Sequence, residues 1–135
     1  MSRTASFLLV LIFLLCAACA RPIQNPTIDF DRQYAALSPE KVQEAIVQAC
    51  VYEGWTVQER TASSVHAALN WKNKHFVDVS IHHDARGVTI RYIASRNMDY
   101  KAGNPPRIHN QYNKWVKSLA DCIHGYLDLE VSQAS

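Results

Sequence analysis

Two rhythms of apolar and polar residues succeed each other along this chain. Val42, Ile46, Ala49 and Cys50 recur at helical spacing and predict a buried helical stripe. Ser38 suits the N-cap of that helix, Pro39 its first position and Glu40 its positive end. Leu37 and Val42 flank the cap as a hydrophobic staple, and Gly54 supplies a stop. The period then changes to two. Trp55 and Val57 alternate with Thr56 and Gln58. Val65, Ala67, Leu69 and Trp71 alternate with His66, Ala68, Asn70 and Lys72. Val77, Val79 and Ile81 alternate with Asp78, Ser80 and His82, and Val88, Ile90, Tyr92 and Ala94 with Thr89, Arg91 and Ile93. Such runs predict antiparallel strands with one covered face and one wet face.

Asn73-Lys74 and Asp84-Ala85-Arg86-Gly87 read as hairpin turns. If His83 pairs with Val88, Ser80 faces Arg91 and Asp78 lies diagonal to it, a cross-strand charge pair on the open face. A loop is expected from Arg96 to Asn104, with Pro105-Pro106 opening a final helix. That helix carries Ile108, Tyr112, Trp115, Val116, Leu119, Cys122, Ile123, Tyr126 and Leu127 on a broad apolar face. The expected fold is α+β, in the order α-β-β-β-β-α. A four-stranded antiparallel meander would carry two helices on one face, as a two-layer sandwich. Residues 37–131 form this domain and 132–135 a tail.

The N-terminal pattern is different. Arg3 precedes the apolar run Phe7 to Leu15, which ends in Cys16-Ala17-Ala18-Cys19. This is the layout of a bacterial secretory signal, and it falls short of the roughly 20 apolar residues that a spanning helix needs. Two alanines before Cys19 point to a lipoprotein, with residues 1–18 as signal peptide and a lipid on the Cys19 thiol. The alternative, an A-x-A site at Ala18-Cys19-Ala20, would release a soluble periplasmic protein. An aspartate after the lipidated cysteine would favour the inner membrane; Ala20 stands there instead, which points to the outer membrane. Residues 19–36 hold Pro22 and Pro26 and lack a period, so they read as a tether of at most about 60 Å. Ile28, Phe30 and Tyr34 are available to dock.

Cleavage before Cys19 leaves 117 residues, enough for one core. The mature chain has 13 basic and 12 acidic residues. That balance gives no general attraction to nucleic acid or anionic lipid. Cys50 and Cys122 each fall on a buried helical stripe, in a compartment that favours disulfides. A bridge between them would contribute roughly 4 kcal/mol in the chain-entropy model; the alternative is two small buried hydrophobes.

Six histidines raise the question of a metal. None stands in H-x-x-x-H or H-E-x-x-H spacing. His66, Asp78 and His82 could gather on the open sheet face, where ordinary polar surface is the better reading. No metal and no cofactor are expected. Neither a G-x-S-x-G elbow nor a glycine-rich phosphate loop is present, and a non-enzymatic role is expected.

The densest group of unusual residues is Ser95 to Tyr100 with Ile108 to Trp115. It reads first as a polar staple between the last strand and the last helix. Its functional counterpart is a small recess with Asn97, Tyr100, His109, Tyr112, Asn113 and Trp115 as candidate binding residues. The pattern Ile90-x-Tyr92-x-x-Ser95-x-Asn97-x-x-Tyr100, then Ile108-His109-x-x-Tyr112-Asn113-x-Trp115-Val116-x-x-Leu119, resembles a family of small proteobacterial lipoproteins known as hypothetical proteins. The resemblance covers roughly Gly54 to Leu119. It implies a Gram-negative envelope location and a strand–loop–helix arrangement, and it implies no activity.

The expected role is therefore a membrane-anchored periplasmic binding module, facing the periplasm from the outer membrane. Its contact surface would be the open sheet face (His66, Asp78, Ser80, His82, Thr89, Arg91) or a sheet edge. Its partner would be another envelope protein or a cell-wall component. The second reading is a small-ligand or metal-binding protein that uses the recess.

Overall fold

The computed structural model describes residues 20–134; the expected signal peptide and the expected lipidation site Cys19 lie outside the described residues. The described residues are mixed α+β, with three helices, a five-stranded antiparallel sheet and a separate two-stranded ribbon. The strands are β1 (Ala20–Pro22), β2 (Thr27–Asp29), β3 (Thr56–Arg60), β4 (Ser64–Trp71), β5 (His75–Asp84), β6 (Gly87–Arg96) and β7 (Arg107–His109). The helices are α1 (Arg32–Ala35), α2 (Pro39–Tyr52) and α3 (Asn110–Ala134).

Helix α2 forms where its caps predict. Ser38 Oγ accepts from the Lys41 amide at 3.2 Å. At the other end Gly54 takes φ +84°, and the Trp55 amide donates back to the Cys50 carbonyl at 2.8 Å. This reversal closes the helix and delivers Trp55, 4% exposed, into the core. Strands β3 to β6 form the expected meander, and α2 crosses β3, β4 and β5 with α3 beside it. Ile46, Val65, Val79, Ile81, Ile90, Tyr112, Leu119 and Ile123 fill the space between helices and sheet. No helix among the described residues is long and apolar enough to cross a membrane.

The structure corrects the expected architecture where short pairings replace long patterns. The stretch expected as a tether is part of the fold. β1 pairs with β7, and β2 adds a fifth strand outside β6, in the order β2-β6-β5-β4-β3. Between them the Ile23 amide donates to the Pro106 carbonyl, and the Ile90 amide to the Pro26 carbonyl. The short helix α1 follows, and the Tyr34 hydroxyl donates to Asp128 on α3. Each pairing is only three residues long, too short for a period to register. The last helix starts at Asn110, not at the prolines, because residues 107–109 are taken up by β7. It continues to Ala134, so residues 132–134 of the expected tail are helical.

One irregularity changes which residues face outward. Asp78 pairs with Ala94 but Val79 pairs with Tyr92, so β6 holds Ile93 as an extra residue. The bulge breaks the expected alternation. It moves Ala94 and Arg96 to the face that carries Asp78 and Phe76, and Ser95 to the face that carries Val77.

Candidate functional site

With both long helices on one side, the other side of the sheet is open. Its side chains lie in rows across the strands. Asn70, Phe76 and Arg96 form one row; Thr56, Ala68, Asp78 and Ala94 the next; His66, Ser80 and Arg91 a third. Ala68 and Ala94 reach only one carbon above the backbone on either side of Asp78. The middle row is therefore low, and a trough of ≈ 530 Å³ lies over it, bordered by Phe76 and Arg96. The Arg96 guanidinium stacks 4.1 Å from the Phe76 ring centre, which stiffens that wall.

Asp78 is the carboxylate of this floor. The expected pair with Arg91 is not formed; His66 Nε2 lies 3.9 Å from Asp78 Oδ1 instead. The register explains the change: Ala68 faces Asp78 and His66 faces Ser80, so His66 is the diagonal neighbour across β4. Ser80 does face Arg91 as the hairpin register requires. Ser80 Oγ and His82 Nε2 are 3.0 Å apart. The His66 Nε2 atom is buried, without a hydrogen-bond partner among the described residues. No group of three or more metal-ligating side chains occurs among the described residues.

Both edges of the sheet are blunted. β2 offers three residues, and β3 carries a register break between Val57 and Glu59 and ends in Glu59-Arg60. Short, bulged and charged edges are poor templates for an added strand. The broad face is thus the more open of the two surfaces that the sequence suggests.

The six residues expected at a recess do not converge on one. Asn113, 5% exposed, accepts from the Gln24 amide and donates to the Pro22 carbonyl, both at 3.0 Å. His109 lies in β7 and its Nδ1 accepts from the Gln111 amide at 3.1 Å, which satisfies an orphan donor at the start of α3. Asn97 takes φ +58°, donates to the Lys74 carbonyl, and offers its own carbonyl to His75 Nδ1. Tyr100 stacks on Tyr92 with centroids 5.1 Å apart, and Tyr92 meets the Tyr112 ring edge-on. Trp115 packs against Trp71 at 5.8 Å. All six are engaged in holding the N-terminal segment, the β4–β5 turn and the last loop to α3. The polar staple is present, with more partners than the strand and helix it was expected to join. The Tyr112 hydroxyl is buried with no partner among the described residues, and burial beside Tyr92 pushes its pKa well up.

The expected Cys50–Cys122 bridge is not formed; both residues are free thiols. Cys50 is fully buried as a core residue of α2. Burial, with the Cys122 thiol nearby, pushes its pKa up to about 12. Cys122 is half-buried and borders a groove with Tyr52, Gly125, Tyr126 and Leu129. Its pKa is raised by burial and then by Glu53. Neither thiol is activated as a nucleophile would be.

Sequence parity alone places Phe76 and Ala68 on the wet face; the bulge in β6 hid Ala94 and Arg96 from it. No family model, no curated protein and no solved structure matches this chain.

Proposed function

We propose that the protein is an envelope lipoprotein, lipidated on Cys19 and non-enzymatic, that binds a partner through the open face of its sheet. The observation that carries this reading is the floor Thr56–Ala68–Asp78–Ala94 between the Phe76–Arg96 wall and the His66–Ser80–Arg91 row. A sheet in a two-layer fold presents a flat, solvated face by default. Here two alanines lower its centre, and a carboxylate sits between an aromatic wall and cations on either side. That arrangement supplies shape, one apolar wall and polar groups of both signs, which an interaction surface needs. The partner is another envelope protein or a cell-wall component in the periplasm. The recess reading loses ground, because its six residues are occupied by internal contacts.

In-cell photocrosslinking tests the proposal. A photoreactive residue at Ser80 or Arg91 is expected to give a discrete adduct, lost when Ala94→Arg fills the trough. An adduct from a probe at Asn110 alone, or one indifferent to Ala94→Arg, would overturn it.

A further inference from the structure

The point where the chain leaves Cys19 decides which end of the domain would meet a bilayer. Ala20 is 5% exposed and pairs with His109. Its carbonyl accepts from Arg107 Nη2 at 2.9 Å. Consecutive Cα atoms are about 3.8 Å apart, so a lipid on Cys19 stands one residue from the folded ribbon β1/β7. A lipid there holds this end within a Debye length of the headgroups, about 8 Å at physiological ionic strength.

The same end gathers the cations. Residues 20–26, 71–75 and 96–114 contain seven lysines and arginines and one carboxylate, Asp99. The rest of the mature chain carries six lysines and arginines against eleven carboxylates. The near balance of net charge thus hides a separation in space. Direct contacts join these segments. Lys101 pairs with Arg107, Asn97 Nδ2 donates to the Lys74 carbonyl at 3.0 Å, and Trp71 packs on Trp115. Arg21, Lys72, Lys74, Lys101 and Arg107 are all exposed. Two aromatic rings stand among them. Trp71 is 44% exposed with the Lys72 ammonium 5.3 Å from its ring, and Tyr100 is 45% exposed. Amphipathic rings beside cations are the side chains that settle at a bilayer interface, and each cation near an anionic surface adds roughly fivefold to partitioning.

The geometry points to a phospholipid surface with anionic headgroups as the partner of this end, docked through Trp71, Tyr100 and the surrounding cations. The inference rests on the lipid-anchored reading above and adds an orientation to it. β5 and β6 run away from the docked end to the Asp84–Gly87 turn, a span of about 33 Å for ten residues. The open sheet face then stands upright beside the bilayer and is left free for its partner.

The test uses the chain as the cell makes it, reconstituted in vesicles of phosphatidylcholine and phosphatidylglycerol, with and without brominated lipids. Trp55 is buried in the core and Trp115 is half-buried against Trp71, so Trp71 is the exposed ring placed to be quenched. The expected result is a quenched component that disappears in Trp71→Phe and weakens in Lys74→Glu/Lys101→Glu, in which Trp71 still reports. The intact mass of the same sample shows whether Cys19 carries lipid. A lipidated protein whose tryptophans are not quenched overturns the orientation and leaves the anchor standing. An unlipidated protein overturns the anchor, and the orientation with it.

Discussion

Asn113→Ala removes the clamp that holds the N-terminal segment to α3. The wild-type amide makes two hydrogen bonds of 3.0 Å, one accepted from the Gln24 amide and one donated to the Pro22 carbonyl. Each is worth about 1 kcal/mol net, so roughly 2 kcal/mol is at stake before the void is counted. The side chain is 5% exposed, and two orphaned backbone groups in a half-buried position raise the cost to about 2–4 kcal/mol. The loss falls first on residues 20–25, whose other attachments include the β1/β7 pairing, the Ile23–Pro106 bond, and the bonds that Arg107 donates to the Ala20 carbonyl and the Tyr92 amide to Asn25. Urea unfolding gives the global change. Hydrogen exchange at Ile23 and Gln24 gives the local one, where 2 kcal/mol appears as roughly thirtyfold faster exchange. Lys114→Ala, at the exposed neighbouring position, is the control and is expected to stay within about 0.5 kcal/mol. A cost below about 0.5 kcal/mol for Asn113→Ala would refute the clamp. So would a full loss of stability with unchanged exchange at residues 20–25, since the bonds would then be supporting something else.

Three further outcomes are expected. Tyr112→Phe deletes a buried hydroxyl without a partner, so urea midpoints should be unchanged or higher, by up to about 1 kcal/mol; a loss of that size would mean that the hydroxyl is bonded. Gly87→Ala would set a Cβ 2.2 Å from the Ile28 carbonyl oxygen, and should cost about 1–3 kcal/mol by pushing β2 off β6. Faster exchange of the Phe30 amide, which donates to Arg86, is its signature, and an unchanged rate would sink the argument. Alkylation without reductant should label Cys122 slowly in the native protein and Cys50 only in denaturant, because Cys50 is buried with its pKa raised to about 12. A denatured sample that takes no label at either position would instead show a disulfide.

How much was legible depended on the length over which a pattern could repeat. The caps of α2 are local chemistry: Ser38, Pro39 and Gly54 act within a few residues and do what their types dictate. The meander β3–β6 is read from alternation over five to ten residues, and its register through the Asp84–Gly87 turn follows from the loop length. The bulge at Ile93 broke that alternation, and one extra residue was enough to exchange Ala94 and Ser95 between faces. The floor of the open face depends on that exchange, so the trough could not be drawn from parity alone.

The sequence by itself determined the α+β class, the apolar stripes of the two long helices and the wet face that carries Asp78, Ser80 and His82. These follow from short-range periodicity, which each segment carries within itself. The fate of residues 20–30, the separation of seven cations to one end, and the use of Asn97, His109 and Asn113 as internal clamps were decided by tertiary structure. Those outcomes rest on pairings of three residues or fewer between segments as much as 91 positions apart. Such pairings leave no period along the chain, and a net charge does not say where its charges stand.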